Sequence, residues 1–532
     1  MLFTSYKFVL FTALVILAYY IVPKKLQWPV LLVSSLGFYW YADPEHLPRY
    51  LGFLLITAVS AWVCGLLIGR ADDISKAYLL EHKESLSKDE KKAYKDRVKK
   101  KKVLIMVLCL LLNLGILSVT KYTSFVITNI NSFLKASKAI RIPDLIIPMG
   151  ISFYTFRTLG YIIDVKRGTC KPEKNLFKFI LFVSFFPQIV QGPISRYNNV
   201  APTLFENHSF DDKVFFSGIL RILFGYFKKL VVAERLVIAV KALSEDTELY
   251  SGGFVFIAMI FYAAELYCDF TGGIDITIGI AEAMGIKLEE NFNLPFFSKN
   301  IKEYWNRWHI TMGSWFTDYI FYPLSVSPRM LKLSKVSREK LGKGIGKRVT
   351  VYISCFLVWL ATGVWHGAAW NFIVWGLMNF VVIMASGELE PLYEKFHKKF
   401  GLKKKKGYAV FEIIRTFLLM SMIRMFDVYR DVPLTFCMIG SMFVHPGLGS
   451  NGREAFAALG LTAADYGVIG AAVALIFALS TYKAIKGEDI RGRILTKFPL
   501  TLAVTSVLII TVLVFGAYGV GYDANQFIYN QF

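Results

Sequence analysis

The chain has 532 residues, 55% of them hydrophobic, 16% aromatic and 19% charged, with a formal net charge of +22. Soluble domains carry roughly 25% charged residues; here the charges gather into runs, separated by apolar stretches of the ~20 residues that a bilayer crossing needs. That excludes an ordinary soluble domain and a nucleic-acid-binding reading of the basic charge. It points to an all-α, polytopic membrane protein whose Lys and Arg collect in cytoplasmic loops.

Helices are predicted over 8–22, 28–42, 50–69, 103–119, 145–163, 176–192, 214–232, 253–268, 350–365, 369–386, 408–425, 466–482 and 498–520. They follow one another without a long polar linker, so 1–532 reads as a single membrane domain. The first, preceded only by Lys7 and lacking an A-x-A cleavage site, reads as a retained helix. The basic runs at 70–102, 329–348, 395–406 and 483–497 are assigned to the cytoplasm, which places the N-terminus outside. The six cysteines form no CxxC pair, so neither a metal site nor a disulfide framework is expected. Interruptions at Pro148, Pro187, Pro193, Gly272 and Gly273 suggest re-entrant pieces, which membranes tolerate only where protein or a cavity covers the freed backbone groups. No internal repeat is evident of the kind an inverted-repeat transporter would show.

Four segments, within a motif-bearing core of about 145–386, could carry chemistry. SFFPQIVQGPISRY (184–197) brings Gln188, Gln191 and Arg196 to membrane depth, where they could line a passage. AAELYCDFTGGIDITIGIAEAMG (263–285) holds Glu265, Asp269 and Asp275; intramembrane carboxylates are costly unless paired or facing water. They could pair with Arg307 or Arg196, orient a histidine, or meet substrate. NIKEYWNRWHITMGSWFTDYIFYPL (300–324) carries Asn306, Arg307, His309 and Asp318. Its Trp305, Trp308 and His309 fall at i, i+3 and i+4, one face of an amphipathic helix over 303–316.

The fourth segment, ATGVWHGAAWNFIVWG (361–376), contains His366 among Trp365, Trp370 and Trp375, with no charged residue between Arg348 and Glu388. A titratable group in so apolar a stretch marks a functional site, although a packing histidine fits the position equally well. With both flanks cytoplasmic, 350–386 must rise and return. The 16 steps from Val349 to Trp365 span roughly 24 Å, so His366 sits at a hairpin apex. A neutral imidazole there could take a proton from a hydroxyl and return it.

These segments, together with MGISFYTFRTLGYIIDV (149–165) and ENFNLPFFSKNIKEYWNRWHITMGSWF (290–316), strongly resemble the membrane-bound O-acyltransferases (MBOAT), and among them the bacterial alginate O-acetylase-like proteins. The resemblance extends to the final QFIYNQF. It implies a ring of helices with re-entrant or interfacial pieces around a central active-site cavity, His366 as the catalytic residue and His309 as a second polar residue of the site. Asp269, Asp275, Asn306, Gln188, Gln191 and Trp365 are candidate lining or orienting residues. No metal and no bound cofactor are implied. The co-substrate would be a cytoplasmic acyl thioester, acetyl-CoA or an acyl carrier protein, attracted by the basic run with Arg329, Lys332, Lys335 and Lys340. The implied partners are an extracytoplasmic esterase-like transferase and a polysaccharide acceptor, at the bacterial inner membrane. The segment 422–430, MIRMFDVYR, departs from the alginate-type pattern and the basic loop 76–102 is expanded, which puts partner and polymer in doubt. The D-alanyl transfer proteins for teichoic acids are the alternative within the family, and a lipid-linked sugar transporter or flippase is the alternative outside it.

Overall fold

The structure, a computed structural model, describes residues 3–42, 47–134, 138–145 and 147–518; QFIYNQF and the end of the segment predicted to reach 520 lie outside them. Seven of the described helices are long and apolar enough to cross a membrane: Arg49–Glu81, Lys88–Asn131, Gly253–Ala283, Pro328–His366, Trp370–Phe400, Ala463–Lys486 and Phe498–Phe515. The protein is a multi-pass membrane protein. The chain divides into two compact units, 1–218 with 280–289, and 219–279 with 290–532.

In the first unit the helix Leu47–Glu81 packs against Lys88–Asn131 and Ile151–Arg167. The basic stretch 70–102, expected as a loop, is mostly helical. A capping box starts the second helix: Ser87 Oγ accepts from Glu90 N–H at 3.2 Å while Ser87 N–H donates to Glu90 Oε2 at 2.8 Å. Its 44 residues extend to about 66 Å, twice the hydrocarbon thickness of ~30 Å. The Lys-rich first third therefore projects beyond the apolar part, and Lys102 ties it to Asp72 at 2.6 Å. The expected 176–192 helix stops at Ser184 and resumes as the single turn Phe186–Ile189, with Pro187 at its start.

The helix Asp212–Tyr226 starts in the first unit, enters the second at Ile219 and runs through a π-helical turn, Phe227–Ala233, into Glu234–Glu245. Gly253–Ala283 is one unbroken helix, so the interruption expected at Gly272–Gly273 is absent. The reason is tertiary. A Cβ on Gly272 would lie 2.8 Å from the Gly225 carbonyl oxygen, and one on Gly225 would lie 2.7 Å from that of Gly272. The glycines let two backbones touch; they do not end a helix.

The expected hairpin around His366 is present and longer than predicted. Pro328–His366 packs along Trp370–Phe400. The glycines again set the approach: a Cβ on Gly363 would meet the Phe372 carbonyl oxygen at 2.6 Å, and one on Gly376 that of Trp359 at 2.5 Å. The basic run 329–348 is not a loop but helical on both sides of a sharp bend at Gly342, whose φ of 79° is left-handed. The helix predicted over 303–316 is instead two, Ile301–Arg307 and Ile310–Phe316, separated at Trp308 and His309.

Candidate active site

His366 ends the rising helix, and Gly367 turns the chain with extended backbone. Any side chain at 367 would strike the Phe372 ring, 2.1 Å from its would-be Cβ, which holds the imidazole tightly against the returning helix. The ring is 7% exposed and stands edge-on to Trp375, centroids 4.6 Å apart and planes 83° apart. Trp365 packs on it at 5.1 Å.

His309 reaches the same indole. Its ring lies 6.1 Å from Trp365 and 5.0 Å from Phe270. The two histidines thus flank Trp365, although 57 positions separate them in sequence. Burial first, and then the positive charge of Arg424, pull the His309 imidazole down to about 3, so it is neutral at ordinary pH and carries one ring proton.

The break at His309 explains its placement. Its φ of 48° is left-handed, unusual for a residue with a Cβ. Fully buried Asn291 holds the turn from across the chain: its carbonyl oxygen accepts from Ile310 N–H at 2.9 Å. Its side-chain oxygen accepts from Thr311 N–H at 3.1 Å and from Thr311 Oγ1 at 2.8 Å, and it lies 3.2 Å from His309 Nδ1. Phe292 pairs with Trp308 as an isolated antiparallel bridge.

Arg424 completes the surroundings. Its guanidinium lies over the rings of Trp375 at 4.6 Å, Trp308 at 5.4 Å and Trp305 at 5.8 Å, and it pairs with Asp427 at 3.2 Å. Buried arginine prefers such stacking and pairing because water no longer solvates it. Trp375 therefore contacts the cation and the His366 imidazole together. Sequence reasoning missed Arg424 and Asn291. Asn291 lies inside the family-like segment ENFNLPFF, whereas Arg424 lies in MIRMFDVYR, the stretch that departs from the family pattern, and only three-dimensional proximity assigns their work.

The remaining candidates separate by place. Asp275 bonds Arg221 Nε at 2.9 Å and Lys228 Nζ at 2.6 Å, and Asp269 bonds Lys229, which also holds Glu234 at 2.7 Å. Ion pairs with these three cations hold the two carboxylates in place. The signal for them was the KK pair in the apolar run GYFKKLVVA. Arg307 pairs with Glu303 at 2.7 Å. Asn306 lies on the exposed side of its helix. Gln188 and Gln191 are buried in the first unit, where Gln188 Nε2 donates to Ser195 Oγ at 2.8 Å and staples its own loop. Arg329, Lys332, Lys335 and Lys340 are exposed on the arm before Gly342.

Residues 171–337 match the model of the membrane-bound O-acyltransferase family. The chain is 30% identical over 382 residues to a probable alginate O-acetylase of Pseudomonas syringae pv. tomato, covering 71% of this chain and 64% of the relative. It is 30% identical over 322 residues to a peptidoglycan O-acetyltransferase of Helicobacter pylori, 56% of this chain and 58% of that one. It is also 30% identical over 282 residues to a teichoic acid D-alanyltransferase of Bacillus subtilis, 52% of this chain and 67% of the relative. The match spans slightly less than two thirds of the alginate-type relatives' length.

Proposed function

The chain belongs to the membrane-bound O-acyltransferase family, and from that premise we propose that it is an O-acetyltransferase serving an extracytoplasmic polysaccharide. The observation that carries the reading is His366, a buried imidazole at the apex of a glycine-tightened hairpin, walled by Trp365 and Trp375.

In the proposed reaction His366 takes the proton of an acceptor hydroxyl as its oxygen attacks the thioester carbonyl carbon. The C–S bond breaks, the thiolate takes the proton from the imidazolium, and an O-acetyl ester and a free thiol leave. The tryptophans exclude water that would otherwise hydrolyse the thioester. The donor is acetyl-CoA or an acetylated carrier protein on the cytoplasmic side, and the exposed cations of 329–340 draw in its negative charge. The acetyl group reaches the polymer directly or through an extracytoplasmic esterase-like transferase. The placement is the bacterial inner membrane with the N-terminus outside, the four basic runs facing the cytoplasm.

The B. subtilis relative, with 67% of its length matched, supports a second reading, D-alanyl transfer to a teichoic acid. Both readings share the base and the thioester and differ in acyl group and acceptor. Purified protein in proteoliposomes, given acetyl-CoA or a D-alanyl carrier protein in turn, distinguishes them by which donor releases thiol when a polyol or sugar acceptor is present. Thiol release from neither donor contradicts the proposal.

A further inference from the structure

The environment of His309 fixes where its single proton sits. A backbone N–H can only donate, so the Asn291 atom 3.1 Å from Thr311 N must be the amide oxygen. An amide oxygen can only accept, so His309 Nδ1, 3.2 Å from the same oxygen, must carry the hydrogen. A neutral imidazole has one ring proton. Nε2 is then the nitrogen with the lone pair.

The fold spends several contacts on this arrangement. Asn291 is 0% exposed, Ile310 N–H donates to its carbonyl, and Asn293 N–H donates to the Arg307 carbonyl, both at 2.9 Å. These bonds hold His309 in a left-handed conformation that a residue with a Cβ adopts only at a cost in strain. Phe270 and Trp365 fix the ring from its sides. Strain retained at one residue by so many neighbours is the mark of a position whose geometry is used.

We propose that Asn291 is a positioning residue that holds His309 in its Nδ1–H tautomer, leaving Nε2 as a hydrogen-bond acceptor for a hydroxyl and not a donor to an oxyanion. The consequence rests on the reading of this site as an acyltransferase centre, whereas the tautomer itself does not. Within that reading, His309 orients the acceptor alcohol and His366 removes its proton. A weakly basic imidazole suits the orienting role, because it accepts a hydrogen bond while remaining unprotonated. The charged and titratable groups around His309 are Arg424, with Asp427 and Tyr304 beside that guanidinium, and His366 across Trp365.

The test is ¹⁵N NMR of protein labelled at its seven histidines, in bilayers at pH 7, with the His309 signals identified by their loss in His309→Gln. The expected result is a neutral ring protonated at Nδ1, and in Asn291→Ala a shift toward the Nε2–H form that free imidazole side chains favour. An Nε2–H ring or an imidazolium in the unsubstituted protein overturns the proposal. So does an Asn291→Ala spectrum identical to it. Should the alanine variant fail to accumulate, Asn291→Asp keeps an oxygen for all three donors and adds a negative charge that stabilises the imidazolium. It should retain Nδ1–H, and the pH at which the His309 ring takes up its second proton, followed by the same ¹⁵N signals, should rise because the added carboxylate favours the imidazolium. A second protonation at an unchanged pH overturns the positioning role. A correct tautomer in a protein without transferase activity contradicts the proposed function instead.

Discussion

The His366 imidazole stands nearly perpendicular to the Trp375 indole at 4.6 Å, and the Arg424 guanidinium lies 4.6 Å from the same indole. The candidate base is therefore backed by an aromatic ring whose position is set by a buried cation. Trp375→Leu should lower turnover by about tenfold or more through loss of alignment, since small misplacements cost up to about 10²-fold. Steady-state kinetics on the purified variant check this; an unchanged kcat would remove Trp375 from the account.

Arg424 and Asp427 are both buried. Arg424→Met leaves a carboxylate without its counter-charge, a loss of about 3–5 kcal/mol. Its thermal midpoint in detergent should fall, and the double variant Arg424→Met, Asp427→Leu should recover part of the loss. A single variant as stable as the parent protein contradicts the ion-pair assignment.

The close hairpin depends on Gly363 and Gly376. Gly363→Ala places a Cβ 2.6 Å from the Phe372 carbonyl oxygen; overpacking of this kind costs about 1–3 kcal/mol. Gly115→Ala, whose Cβ meets nothing within 4 Å, serves as the control and should leave stability and activity near their original values. Equal behaviour of the two variants in a thermal melt would argue against close helix packing at Gly363.

The secondary structure is largely legible from apolar periodicity, and the hairpin apex from the absence of charge between Arg348 and Glu388. What periodicity cannot show depends on distant chain segments. The split of the 303–316 helix comes from Asn291, 18–20 positions away, which captures the backbone at 310 and 311. The continuity of Gly253–Ala283 through two glycines comes from Gly225, whose backbone occupies the space left by the missing side chain of Gly272. The carboxylates at 269 and 275 are recognisable as groups needing partners, but Arg221, Lys228 and Lys229 escape notice because they sit in an otherwise apolar helix. At the site, only the family resemblance joins His366 and His309 in advance; their shared contact at Trp365 is a property of the fold.

Arg329, Lys332, Lys335 and Lys340 are exposed on the arm preceding the bend at Gly342. Neutralising all four should raise the donor's apparent KM, and more at low ionic strength, because exposed charges attract anions over a Debye length of about 10 Å at 0.1 M salt. Donor kinetics that do not change at either salt concentration, with topology intact, would reduce the cluster to an orientation signal.

The proposed mechanism makes His366 the base of acyl transfer. Its most direct test is the rate of acetyl transfer from thioester to an alcohol acceptor by purified His366→Ala and His366→Gln in proteoliposomes, beside circular dichroism and thermal melts that report their folding. Both variants should be folded, with transfer reduced about 10²–10⁴-fold, the range for loss of a general base. Turnover near that of the unsubstituted enzyme in either folded variant would contradict the proposed mechanism.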